Sequence, residues 1–263
     1  MPTALTIAGS DSGGGAGIQA DLKTFTSHRV FGLSVLTSIT AQNTLGVHGI
    51  YNLPPEFIEL QFDSVANDIG FDAVKLGMLS NIEIAEAVSK KIKERSVKNL
   101  VIDPVMKAKD GSSLLKDTAV DIYKELLFDK AKIVTPNIPE AEILISMKIE
   151  NPSDMKKAAE KIKEFGCDAV LIKGGHLSET FPAIDIFFDG RQFVEISSER
   201  IKTKNTHGTG CTYSAAICAN LAKGMDLLSS VKSAKEYLTN AIQNSFKIGK
   251  GNGPINHFWN IDE

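Results

Sequence analysis

The chain has 263 residues, 43% hydrophobic and 23% charged, a composition that buries a sizeable core without disulfide or metal staples and excludes long disorder. Lys and Arg total 29 against 32 Asp and Glu, a net charge of −3, so no basic surface for gripping nucleic acid is expected. No apolar run approaches the ~20 residues of a membrane span, and residues 1–7 enter a strand-like run without a basic stretch before it, which speaks against a secretory signal.

In chain order, short β-rich runs alternate with stretches of helical period. Residues 5–8 make the first strand-like run, ending at Gly9, and residues 33–39 the second. Pro54-Pro55 then opens a segment in which Ile58, Phe62, Val65 and Ile69 share one helical face. A strand is expected at 72–76. A helix follows Ser80-Asn81, with Ile84, Val88 and Ile92 on one side. Runs at 99–102, 131–134 and 169–172 have the length of buried strands. Before the last of these, residues 152–165 form a Lys/Glu-rich helix with Met155, Ala158, Ala159 and Ile162 inward, closed by Gly166. Residues 187–194 differ: two short strands flank Asp189-Gly190, the pattern of an antiparallel hairpin. Closing helices are expected at 212–222 and 227–246. Strand, helix and strand in repetition imply an α/β fold with a mainly parallel central sheet and helices on both faces. No linker, charge block or repeat divides residues 1–263, so one domain is expected.

Ligands of such sheets sit beyond the carboxyl ends of the strands. The first such loop, residues 9–17, holds five glycines, which permit close backbone approach to a ligand. It is no Walker A loop, since no Gly-Lys-Ser/Thr follows. Gln42, closing the second strand, offers donors and an acceptor on one short plane, which suits a heteroaromatic edge with an amino group beside a ring nitrogen. Asp103 directly follows one strand, and Thr135-Pro136-Asn137-Ile138-Pro139-Glu140 follows another while opening a helix. Two hard oxygen ligands at one end of a sheet suit Mg²⁺ that keeps waters and touches phosphates. Lys173 ends a strand beside Gly174-Gly175 and could reach a phosphate. The sharpest segment is Asn205-Thr206-His207-Gly208-Thr209-Gly210-Cys211-Thr212, two glycines before a small-residue helix. Main-chain N–H groups at such a start make an anion hole. Cys211, in the first turn, is expected to have a thiol pKa lowered by the helix dipole, which makes it a candidate base or nucleophile. Cys167 and Cys218 are expected in the core. With no paired cysteine spacing and no HExxH, reduced thiols in the cytoplasm and no structural zinc are expected.

These segments jointly resemble the hydroxymethylpyrimidine/phosphomethylpyrimidine kinases of thiamine biosynthesis. The resemblance runs from residues 8–24 through Thr40-Ala41-Gln42-Asn43-Thr44-Leu45-Gly46-Val47, Lys75-Leu76-Gly77-Met78, Asp103-Pro104-Val105-Met106, residues 135–142 and Lys173-Gly174-Gly175-His176 to residues 205–212. It implies a ribokinase-like fold, ATP with Mg²⁺, a small-molecule substrate and a homodimer. By resemblance Gln42 reads the pyrimidine edge, with Asp21, Met78 and Val105 lining the same pocket. Asp103 and Glu140 would organise Mg²⁺ and phosphate, Asn137 would assist, and Lys173 and Thr209 would touch the nucleotide phosphates. Gly208, Gly210 and Cys211 would form the anion hole, with Cys211 also catalytic. Lys107-Ala108-Lys109-Asp110-Gly111 is more charged than the family pattern and yields no reading.

Other readings stay open at this point. A pyridoxal or pyridoxine kinase of the cysteine-containing type would share the anion hole. A dinucleotide-dependent oxidoreductase could use Gly15-Ala16-Gly17-Ile18-Gln19-Ala20, but the acid expected about 20 residues on is missing. A ligand-binding protein without turnover would leave the acids and Cys211 unexplained. A hydrolase using Cys211 and His207 lacks an evident third group to orient the histidine.

Overall fold

The computed structural model of the chain describes residues 1–106, 120–178 and 180–261. Its first strand, β1 (Thr3–Asp11), lies inside the sheet with nearly every residue buried. Side chains alternate across a strand: Leu5 and Ile7 join one apolar cluster, Ala4 the other. β1 pairs in parallel with β2 (Phe31–Asn43) on one side and with β4 (Ala73–Leu76) on the other. β5 (Leu100–Ile102), β6 (Ile133–Val134) and β7 (Val170–Ile172) continue in parallel. The edges are antiparallel. β3 (Gly46–Asn52) folds back on β2, and β8 (Ala183–Phe188) and β9 (Phe193–Ser198) form a hairpin beside β7. Among the described residues the sheet has nine strands in the order β3-β2-β1-β4-β5-β6-β7-β8-β9. The expected hairpin is present. Asp189 Oδ1 accepts from the N–H groups of Arg191 and Gln192, both at 2.9 Å.

Helices cover both faces. α1 (Gly17–Ser27), α7 (Thr209–Ala222) and α8 (Leu227–Gln243) pack Phe25, Ile217, Val231 and their neighbours on one side. α2 (Pro55–Asp68), α3 (Ile82–Glu94), α4 (Val120–Leu127), α5 (Ile138–Ile145) and α6 (Pro152–Lys163) pack on the other. Local chemistry sets the ends. Pro55 opens α2, and Asn81 and Asn151 accept from the N–H groups of Ile84 and Asp154 to cap α3 and α6. Cys167 and Cys218 are fully buried, as core residues should be.

Several boundaries differ from the sequence expectation. β2 runs to Asn43, past residue 39, because the ribbon with β3 prolongs it. β3 itself has most of its residues exposed and no alternation of apolar with polar side chains, so no strand pattern marked it. α1 follows the glycine-rich loop directly, and α7 begins at Thr209 rather than 212. The charged run at 107–111 lies outside the described residues. Among those described, no helix is long and apolar enough to cross a membrane.

Candidate active site

The carboxyl ends of the parallel strands open into a cavity of 1270 Å³. Gln42, Met78, Asp103, Val105, Asn137, Glu140, Lys173, Gly208, Thr209, Gly210 and Cys211 all line it. Residues far apart in the chain meet there because every parallel strand points the same way.

The strand-end acids and the lysine form one buried group. Asp103 follows β5, and its Oδ1 lies 2.7 Å from Lys173 Nζ, which follows β7. Lys173 N–H donates to Pro136 O at 2.8 Å, tying the loops after β6 and β7 together. Asn137 and Glu140 make a reciprocal cap at the start of α5. Asn137 Oδ1 accepts from Glu140 N–H at 2.9 Å, and Glu140 Oε2 from Asn137 N–H at 2.8 Å. Burial pushes the Glu140 carboxyl up to about 7, Lys173 opposes this, and Asp103 adds to it. Burial would lower the Lys173 pKa, but Asp103 and Glu140 raise it above the ordinary lysine value, so Lys173 stays charged. Among the described residues no three His, Cys, Asp or Glu side chains converge as a metal cage. Two buried carboxylates without a cage are a donor set for a hard cation that takes its remaining oxygens from water and phosphate, which fits Mg²⁺.

The start of α7 faces the same group. A helix leaves its first N–H groups without an intrahelical acceptor, and no side chain caps α7 and no acid stands in its first turn. Gly208 has φ +81°, and a Cβ there would collide with Gly15 O. Glycine at this position lets the first loop and the α7 start touch. A Cβ on Gly210 would lie 3.4 Å from Lys173 Nζ and 3.6 Å from Asp103 Oδ2. The helix start, the lysine and the acid therefore surround one small polar volume, in which N–H dipoles and an ammonium favour an anion.

The family model described as phosphomethylpyrimidine kinase matches residues 11–256. The chain belongs to the phosphomethylpyrimidine kinase family. It is 51% identical over 255 residues to the hydroxymethylpyrimidine/phosphomethylpyrimidine kinase of Bacillus subtilis (strain 168), covering 97% of this chain and 94% of that protein. A crystal structure of phosphomethylpyrimidine kinase from Clostridium difficile 630 superposes with a TM-score of 0.83 at 45% identity, covering 92% of this chain and all of that one (100%). An ADP complex of Bacillus subtilis pyridoxal kinase superposes with a TM-score of 0.92 at 41% identity, covering 98% of each chain.

Two expectations for this member of the phosphomethylpyrimidine kinase family are corrected by the geometry. Asp21 is fully buried and does not line the cavity. Its Oδ2 lies 2.8 Å from Lys75 Nζ and accepts from Thr6 Oγ1 at 2.6 Å. α1 turns this carboxylate toward β1 and β4, where Lys75 rather than a ligand neutralises it. Nor is the Cys211 thiol acidified. Burial pushes the thiol of this half-buried residue up to about 11, Asp21 and Asp103 add to the rise, and the opposing pull of Lys75 and of a hydrogen bond from the Gly17 main chain is too small.

Sequence reasoning gave no role to Lys75 or Asp11 and weighed His207 only as a hydrolase partner of Cys211, yet all three line the cavity. A lysine inside the apolar strand Ala73-Val74-Lys75-Leu76 was itself a signal, because a buried ammonium demands a buried carboxylate. His207 Nε2 lies 2.9 Å from Asp11 Oδ2. The histidine does have an orienting carboxylate, which the sequence did not show.

Proposed function

We propose that this chain transfers the γ-phosphoryl group of ATP to 4-amino-5-hydroxymethyl-2-methylpyrimidine and then to the resulting monophosphate, giving the diphosphate used in thiamine biosynthesis. The observation that carries the reading is the convergence of Gln42, the Asp103–Lys173 pair, Glu140 and the α7 start on one cavity. In the first step the alcohol O–H bond and the β–γ phosphoanhydride bond break, a new O–P bond forms, and ADP and a proton leave. In the second step the acceptor is a phosphate oxygen.

Phosphoryl transfer asks for alignment and charge neutralisation more than covalent chemistry. Gln42 presents an amide edge to the aminopyrimidine, with Met78 and Val105 against the ring. Lys173, Thr209, Asn137 and the N–H groups of Gly208, Gly210 and Cys211 hold phosphate oxygens. Asp103 and Glu140 would hold Mg²⁺, which supplies positive charge to the phosphates. Cys211 enters as a thiol. The proton of the alcohol is released late in a loose transition state, and Lys75 is the cation that favours a thiolate at that point. The second acceptor is already mostly dianionic, with a pKa near ~6, and needs no base.

ATP consumption measured against a small panel of pyrimidine and pyridine alcohols tests the reading. Turnover with the hydroxymethylpyrimidine is expected, and its absence overturns the proposal. The likeness to an ADP complex of a pyridoxal kinase favours one second reading, a pyridoxal kinase of the cysteine-containing type. A higher kcat/KM on pyridoxal than on the pyrimidine would select it. We further propose one cytoplasmic domain working as a homodimer. Three free cysteines support the compartment. Exposed Ile39 and Tyr51, paired across the β2–β3 ribbon, offer a face for a second copy, and light scattering on the purified chain tests the dimer.

A further inference from the structure

The Gln42 side chain has two polar neighbours. Its Oε1 end lies 3.2 Å from Thr40 Oγ1 and its Nε2 end 3.3 Å from His207 Nε2. The two ends of an amide are nearly equal in size, so hydrogen bonding rather than shape chooses between this orientation and the one turned by 180°.

Both neighbours are already committed. Thr40 has one hydroxyl proton and gives it to Ser10 O at 2.7 Å. Its oxygen therefore meets Gln42 as an acceptor. His207 Nε2 faces Asp11 Oδ2 at 2.9 Å. The same oxygen accepts from the N–H groups of Gly15 and Ala16 at 3.0 and 2.8 Å, and Oδ1 accepts from Gly13 N–H at 2.8 Å. Burial pushes the Asp11 pKa up, but the His207 hydrogen bond and the main-chain donors more than offset it, and the net effect is a lowered value. An ionised carboxylate only accepts. His207 Nε2 must therefore carry its one proton, held by Asp11; it has no lone pair to accept a Gln42 N–H, and it meets Gln42 only as a shared, three-centre donor, whatever the ring's charge.

An acceptor at Thr40 and a donor at His207 admit one amide orientation, with the NH₂ toward Thr40 and the C=O toward His207. The orientation first described sets two donors face to face and leaves Oε1 without a proton. His207 is in turn immobilised. Its main-chain N–H donates to Gly253 O at 3.0 Å, and its ring edge fills the space a Cβ on Gly15 would occupy.

We propose that His207, held by Asp11, is a positioning residue that fixes the Gln42 amide and thereby selects a 4-amino over a 4-oxo pyrimidine. A 4-amino pyrimidine presents a donor beside a ring-nitrogen acceptor, whereas the 4-oxo tautomer presents an acceptor beside an N–H donor. A fixed amide matches one of these patterns, and an amide free to turn matches both. This inference rests on the reading that Gln42 meets the pyrimidine edge.

Two measurements test it. The first is the ratio of kcat/KM for the 4-amino alcohol over its 4-oxo analogue, which cancels damage common to both substrates. His207→Ala is expected to lower this ratio by roughly 10–100-fold, the discrimination of one bidentate contact. His207→Gln, whose amide N–H reaches toward Asp11 as Nε2 does, should restore it to within a few-fold. A ratio in His207→Ala equal to wild type overturns the proposal. The second needs no turnover. In NMR spectra of the wild-type chain, the Gln42 side-chain amide protons should show cross-relaxation to the Thr40 methyl group. Cross-relaxation to the His207 ring protons in its place overturns the proposal even where the variants fold poorly. If the wild-type chain phosphorylates neither pyrimidine, the proposed function fails, and the NMR result still decides the orientation.

Discussion

Lys75 Nζ lies 2.8 and 3.0 Å from the two carboxylate oxygens of Asp21, and neither side chain has any exposed surface. Removing one partner of a buried pair strands a charge. Lys75→Met is therefore expected to cost about 3–5 kcal/mol in urea unfolding, while Lys75→Met with Asp21→Asn costs clearly less than the single change. A single-variant loss below ~1 kcal/mol, the range of an exposed pair, would contradict the geometry. The pair also serves the site. Burial alone would lower the Lys75 pKa, and Asp21 raises it well above the ordinary value, so a fixed positive charge stands beneath Cys211.

The contact between the first loop and the α7 start depends on two main chains lying side by side. Gly208 has φ +81° and no room for a Cβ against Gly15 O, whereas a Cβ on Gly175 meets nothing within 4 Å. Both residues line the cavity. Gly208→Ala is expected to lower kcat/KM for ATP by at least about 10²-fold, the scale of a misplaced phosphate cradle. Gly175→Ala should change stability by no more than ~0.5 kcal/mol. Equal kinetics for the two variants would show that the loop contact does not shape the site.

Much of this site was legible because the residues that carry it end strands or start helices, and those positions leave marks in sequence. Asp103 and Lys173 directly follow apolar runs, Glu140 and Cys211 stand in the first turns of helices, and all four reach the cavity. What escaped lies in side-chain direction and long-range pairing. Nothing local to Asp21 says that its carboxylate turns under the sheet toward Lys75, 54 residues away. Asp11 and His207 are 196 residues apart and meet only once the loops after β1 and before α7 are folded. The raised Cys211 thiol was equally hidden, since a helix start is visible in sequence and the surroundings that folding brings to the sulfur, Asp21 and Asp103 among them, are not. β3 left no trace because an exposed edge ribbon needs no apolar alternation.

Buried His257 and half-buried His28 predict how the fold responds to acid. Burial lowers His257 and His28 from 6.5 to about 4, with Lys23 adding to the effect at His257 and a Thr24 carbonyl opposing it at His28. His257 Nε2 lies 3.0 Å from Thr212 Oγ1, and the His28 ring packs edge-on against Tyr237 with centroids 4.4 Å apart. Their folded-state pKa values lie below the unfolded ones, so their contribution is complete above pH 6.5 and is lost as pH falls through 4. Unfolding free energy measured by urea at successive pH values should decline across that window, by ~2–3 kcal/mol for His257. Removing His28 as His28→Gln should flatten the slope. A stability flat from pH 7 to 4 would mean that neither histidine is held neutral.

Cys211 decides how much of the chemistry belongs to a base. With its thiol pushed up to about 11, roughly one molecule in 10⁴ carries a thiolate at pH 7. The logarithm of its iodoacetamide alkylation rate, followed on the Cys211 peptide by mass spectrometry, should rise with unit slope from pH 7 past pH 10. Cys167 and Cys218, fully buried, should stay unmodified. A plateau below pH 8 would restore a preformed thiolate. Lys75→Met should shift the profile upward, because the ammonium favours the thiolate. Turnover supplies the complementary reading. Cys211→Ala should slow phosphorylation of the alcohol by roughly 10²–10⁴-fold if the sulfur takes the late proton. It should slow the second step less, because a phosphate dianion has no proton to give up. Equal losses in both steps, measured separately from each acceptor, would assign Cys211 to the phosphate cradle alone and leave the main-chain amides of α7 and Lys173 to carry the transfer.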